Sequence, residues 1–238
     1  AGAFIAHVVG SAFCLIALSI LRLAPPDRSS VKRGALFADV AEGMAYAFHH
    51  PGLRPILVML IFASLSVRPL QDMMPGFAGG VFNSGAQGLA WLTSALGLGA
   101  MSGAVYIASR GALSGLTTVS MLGYLGTALA VLGFVASENL WVGVVFGVMV
   151  GFGINVMSTS IQALMQFAVE DRMRGRVMAL YLLIFRGTPA FGALAIGLMA
   201  DHYGLQISFA IAAALCLAVL VFVAPGRAQM AQALEHKK

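Results

Sequence analysis

Charge is what this sequence has least of. Of 238 residues, 14 are Lys or Arg and 9 are Asp or Glu, 10% in all. A soluble domain carries about 25% charged residues, because its surface has to be covered with polar groups. So few charges exclude a soluble enzyme, and they exclude a charge-rich disordered chain as well. Cysteine is nearly absent too, with only Cys14 and Cys216, each inside an apolar stretch. No His or Cys partner stands at ligand spacing, which excludes a disulfide-framed secreted scaffold and a metal centre. Both cysteines read as small apolar thiols. Catalytic signatures are missing as well. There is no Gly-x-Ser-x-Gly, no His-Glu-x-x-His and no Gly-x-x-x-x-Gly-Lys. No Ser/His or paired-Asp set stands at membrane depth, and His7 is alone on its segment. No enzyme, cofactor or metal is expected. The net charge of +5 comes without a basic stripe interleaved with aromatics, so nucleic acid is no partner. Basic loops of a membrane protein account for it.

What is present is apolar: 60% of the chain, with 28 Gly in addition. The mean hydropathy is +0.91. The composition predicts an all-α polytopic transmembrane helix bundle with the lipid bilayer as its solvent. A span needs about 20 mostly apolar residues. Seven windows qualify: 1–21, 55–77, 87–108, 116–136, 140–166, 177–200 and 205–223. The Gly79-Gly80 to Gly85 stretch reads as the turn between the second and third. The organisation expected is a first span (1–22), a linker (23–54), a six-helix bundle (55–224) and a tail (225–238).

Every Lys and Arg except Arg68 and Arg186 falls in alternate links of this plan. The positive-inside rule then places those links and the C-terminus in the cytoplasm. The first span starts outside without the basic start and cleavage site of a leader, so the chain reads as one lacking upstream spans. In the linker, Phe37, Val40, Ala41, Met44 and Phe48 share one helical face. That pattern predicts an amphipathic helix at the cytoplasmic membrane surface, with a partner-binding helix as the alternative.

An ionisable group at bilayer depth is costly and is read as functional by default. Arg186 lies near the middle of the sixth span, followed by Gly187 and Pro189. It either lines a hydrated cavity and meets an anion, or it holds two helices together as a buried ion pair. Arg68 and Asp72 stand four apart on the second span, close enough to meet on one face. They read as a gate or protonatable site, or as an ion pair near the outer interface. Asn155, Thr159, Gln162 and Gln166 fall on one face of the fifth span. Four uncharged polar groups in line either border a substrate pathway or glue helices together. Gly143, Gly147 and Gly151, with Gly99 and Gly103 on the third span, are close-packing signals.

The stretch Glu170-Asp171-Arg172-Met173-Arg174-Gly175-Arg176-Val177 resembles the loop between the tenth and eleventh helices of the major facilitator superfamily. It is most similar to the branch of bacterial siderophore (enterobactin) and macrolide exporters. Phe185-Arg186-Gly187, Pro189, Gly192, Gly197 and Ala200-Asp201 resemble that branch's eleventh helix and the turn after it. Glu42-Gly43, His50-Pro51 and Met74-Pro75 resemble the end of its central loop and its seventh helix. The resemblance implies that the first span is the family's sixth helix and the bundle its helices seven to twelve. It marks Asp171, Arg174, Gly175 and Arg176 as a cytoplasmic loop motif, and sets Arg186, Asn155, Thr159 and Gln162 on cavity-side helices. Arg68 and Asp72 depart from the pattern, which has apolar residues there. The function implied is secondary active export of a small organic molecule by alternating access, from the bacterial inner membrane. Its partners would be that small-molecule substrate and a missing N-terminal transporter half. A stand-alone seven-span scaffold or accessory subunit is the alternative.

Overall fold

The computed structural model describes residues 2–20, 36–111 and 114–235. The chain forms two units, 1–36 and 37–238. The first contains α1, Gly2–Ile20, a helix without a charged residue in either end turn. The side chains of His7 and Cys14 lie outside the described residues.

The second unit begins one residue into α2 (Leu36–His49) and continues into the bundle. The first bundle helix is not one smooth rod. It runs as α3 (Leu53–Ser66), α4 (Pro69–Asp72), α5 (Met74–Gly76) and a π-helical turn, Phe77–Val81. Pro69 has no N–H to give, and at this point Val67 N and Arg68 N both donate to Ala63 O, at 2.9 and 3.2 Å. The shift from i−4 to i−5 bonding breaks the helix at Arg68. The turn expected at Gly79-Gly80 comes later. Those glycines belong to the π-helical turn, closed by Phe82 N to Phe77 O at 2.9 Å. The chain reverses at Asn83 and Gly85, whose φ angles are +48° and +55°.

Then follow α6 (Gly85–Arg110), α7 (Leu116–Val135), α8 (Leu140–Ala168), α9 (Asp171–Val223) and α10 (Arg227–Glu235). Asn139 caps α8, its Oδ1 accepting from Trp141 N at 2.9 Å. Within α9 only Gly204 leaves helical geometry, with φ +80° and ψ 161°. It separates a first leg, 171–203, from a second, 205–223, so α9 supplies two of six spans. Among the described residues, five helical stretches, Leu53–Asp72, Gly85–Arg110, Leu116–Val135, Leu140–Ala168 and Asp171–Glu235, are long and apolar enough to cross a bilayer, and their outer surfaces carry exposed Leu98, Val105, Leu129, Val145, Leu194 and Phe222. A soluble fold would bury such residues; a lipid-facing surface does not need to. Trp91 and Trp141, half-exposed and 5.5 Å apart at one end of α6 and α8, sit where an interfacial aromatic girdle belongs.

The glycine stripes do what their spacing predicts. Added Cβ atoms at Gly99 and Gly151 would run into the carbonyls of Val148 and Leu96, so α6 and α8 touch backbone to backbone. Gly192 brings α9 onto the Leu65 carbonyl of α3 in the same way. On the far side, Phe77, Phe134 and Phe209 interlock α7 with the second leg of α9, with ring centroids 5.1–5.6 Å apart. Cys216 is buried there, its thiol 3.7 Å from Phe62 O.

At the end of the bundle that carries the Arg-rich loop, α2 lies against α9. Its buried face is Gly43 and Ala47, flanked by Tyr46 and His50. The face named from the sequence is turned outward there: Ala41, Met44 and Phe48 are exposed, and the side chains of Phe37 and Val40 lie outside the described residues. The smallest residues chose the docking face, because a Cβ at Gly43 would sit 3.0 Å from Arg176 Cβ. At the same end α10 tucks under the bundle, with Met230 and Leu234 buried.

Candidate functional site

The centre of interest is the middle of the bundle, where α3–α4 and the first leg of α9 cross. Arg186 stands midway between Asp171 and Gly204, roughly 22 Å along the helix at 1.5 Å per residue. Its side chain is exposed. On the adjacent turns its neighbours are the exposed Leu182 and Leu183 before it and Pro189 and Ala190 after it, so no polar side chain of its own helix stands beside the guanidinium. Thr188, one turn from Ile184, returns its hydroxyl to that residue's carbonyl and leaves no polar group for Arg186.

Arg68 approaches the same place from the helix break. Its guanidinium carbon lies 4.1 Å from the ring centroid of Phe185, a cation–π contact. Phe185 in turn stacks on Tyr181, with centroids 5.4 Å apart and planes 12° from parallel. The Tyr181 hydroxyl donates to Ser158 O on α8 at 3.3 Å. A chain of contacts therefore runs from Arg68 through two aromatic rings to the polar helix. Arg186, Arg68 and Tyr181 are within electrostatic reach of one another.

Arg68 and Asp72 lie within electrostatic reach of each other but form no ion pair. The helix break turns Arg68 toward α9, and Asp72 stays exposed at the end of α4. Among the described residues, ion pairs join Arg174 to Asp171 at 2.7 Å and Arg176 to Glu42 at 2.9 Å. No described carboxylate lies within that range of Arg68 or Arg186, and neither guanidinium donates a hydrogen bond to a described residue.

The stripe on α8 lies beside the α6 seam. Asn155 is half-buried next to Gly103, and its Oδ1 is enclosed without a hydrogen-bond partner. Thr159 and Gln162 are half-buried, and Gln166 is exposed. Side-chain glue would show as bonds across to another helix, and no such bond from these four residues is present among the described ones. The stripe and the arginines are linked only through Tyr181 and Ser158.

In the loop motif, Asp171 and Arg174 close the first turn of α9, while Gly175 is exposed with open space around it. Arg176 reaches across to Glu42 and so pins α2 to α9. One functional contact had no local signal at all. The Glu235 carboxylate of α10 accepts from Gly115 N at 2.6 Å and Thr117 N at 2.9 Å, capping α7 from the far end of the sequence. Arg110 steadies the same loop by donating to Ser114 O at 3.0 Å.

No solved structure matches this chain. Among curated proteins it is similar to the multidrug efflux pump Tap of Mycolicibacterium fortuitum, 28% identical over 210 residues. The match takes in 85% of this chain and 50% of that protein, so the chain spans about half the length of the relative. The family model described as transmembrane secretion effector matches residues 1–237. With an all-helical bundle of long apolar spans behind it, the chain belongs to the transmembrane secretion effector family of the major facilitator superfamily.

Proposed function

We propose that this chain is the C-terminal half of a secondary exporter of small organic molecules. It works by alternating access with a second six-helix half, in the bacterial inner membrane and with its C-terminus in the cytoplasm. The family match and the efflux relative support export. The distribution of Lys and Arg supports the orientation. In transporters of this architecture substrate binds near the midplane between the repeats.

The observation that carries the reading is Arg186. A bare guanidinium facing acyl chains at mid-depth costs at least about 2.5–3.5 kcal/mol. Arg186 is exposed, mid-helix and without a described carboxylate. Water, an anion or an acid of the second half has to face it, which supports a hydrated cavity on this side of the bundle. Asn155, Thr159 and Gln162 extend the polar lining, and Arg186 is the electrostatic anchor. In proteoliposomes of the longer protein, Arg186→Leu is expected to abolish gradient-driven dye export and leave membrane insertion intact. Export at the unaltered rate would remove Arg186 from the mechanism. Absence of export by the unaltered protein would leave a membrane scaffold instead.

A further inference from the structure

We infer that Arg68 and Arg186 together seat an organic anion that carries a flat aromatic ring. The inference rests on the exporter reading and deepens it by naming the ligand class.

Arg68 lies 4.1 Å from the ring of Phe185, the chain neighbour of Arg186, which brings two guanidinium groups to one mid-depth stretch of the bundle. Each makes the other more costly, and the costs grow as water is excluded. Proteins ordinarily relieve such a pair with a carboxylate. The nearest one in the sequence, Asp72, is within electrostatic reach of Arg68 but makes no ion pair with it. All the N–H donors of both side chains are without a described acceptor. One carboxylate against two guanidinium groups leaves a net positive charge, and an anion lying between the two arginines would answer it.

Arg68 also specifies shape. Its guanidinium carbon lies 4.1 Å from the Phe185 ring centroid, and Phe185 is backed by Tyr181. The cation–π contact steadies the guanidinium beside aromatic surface and leaves its N–H groups unspent. A guanidinium face accepts an aromatic ring, and its edge matches a carboxylate with two parallel bonds. The complement is an aryl ring on Arg68 with an acid group reaching Arg186. A lysine could supply the charge but not the flat surface.

The test uses two dyes with the same xanthene ring and opposite charge: fluorescein, an anion at neutral pH, and rhodamine 123, a cation. Binding to the purified longer protein is read by fluorescence anisotropy, and transport by accumulation in inverted vesicles. Fluorescein is expected to bind, and Arg186→Gln and Arg68→Gln are each expected to weaken it about tenfold or more, as loss of a charge-assisted bond does. Rhodamine 123 binding should stay unchanged or tighten. Arg186→Lys should restore part of the affinity, while Arg68→Lys should restore less because the stacking plane is lost. Arg186 is exposed, so its variants fold even if an Arg68 variant does not. No fluorescein binding, or binding indifferent to Arg186→Gln, overturns the inference. Rhodamine 123 pumped with fluorescein ignored would overturn it too, and leave the exporter reading standing. Arginine-dependent fluorescein binding with neither dye transported would keep the anion seat and defeat the exporter reading.

Discussion

Glu235 gives the sharpest stability prediction. Its carboxylate closes the start of α7 with bonds of 2.6 Å to Gly115 N and 2.9 Å to Thr117 N. A hydrogen bond to a charged group contributes about 1.5–3 kcal/mol, and loss of a helix cap costs about 0.5–2 kcal/mol. The negative charge also faces the positive end of the helix dipole. Glu235 is half-buried, so water can replace part of what is lost, and Glu235→Ala should cost about 2 kcal/mol. That is roughly a 30-fold rise in local opening, at 1.4 kcal/mol per factor of ten. Glu235→Gln keeps one acceptor oxygen and should cost about half as much in free energy. Hydrogen exchange is the assay, because local opening need not follow global melting. The Gly115 and Thr117 amides should lose protection, while amides at the α6–α8 contact keep theirs. Unchanged protection of those two amides in Glu235→Ala would refute the cap.

Gly99→Val should push α6 off the Val148 carbonyl, at about 1–3 kcal/mol or more for overpacking, whereas Gly97→Ala, with open space around it, should be neutral or slightly stabilising. Equal melting behaviour of the two variants in detergent would count against backbone contact between these helices. His50 gives a pH prediction. Its Nδ1 accepts from Gly52 N and Leu53 N at 3.2 and 3.3 Å, and burial pulls its pKa below the ordinary 6.5. A folded value below the unfolded one means that the contribution is full above pH 6.5 and is lost as pH falls through the folded value. The amides at the start of α3 should exchange faster at pH 5 than at pH 7 after correction for intrinsic rates, and His50→Asn should flatten that difference.

The spans of the second unit were legible in the sequence because a bilayer sets one length and one polarity for each of them. Even the two legs of α9 were separable, since Gly204 carries the positive φ that ends one and starts the other. The second span was read less well. Gly79-Gly80 looked like a turn by composition, but glycine also tolerates a π-helical turn, and the reversal fell to Asn83 and Gly85. On α2 the most apolar face was visible, yet packing went to the smallest residues, Gly43 and Ala47. Arg186 stood out because a lone charge in a span needs no neighbour to be noticed. Arg68 was noticed for the same reason, but its contact with Phe185 carried no signal. Asp72 is its neighbour in sequence, whereas Phe185 comes to it only when α9 packs on α3. Glu235 could not be found at all, since its partners are about 120 residues away.

The central claim is that the face bearing Arg186 and the α8 stripe meets water within the membrane. Single cysteines at positions 186 and 162, in the longer protein with Cys14 and Cys216 replaced by Ser, can be challenged with a membrane-impermeant methanethiosulfonate. A cysteine at exposed Leu129, on α7, serves as the lipid-facing control. Both site positions are expected to react and Leu129→Cys to stay inert. Inert cysteines at 186 and 162 would mean that lipid or protein covers this face, and the transport pathway would have to lie elsewhere.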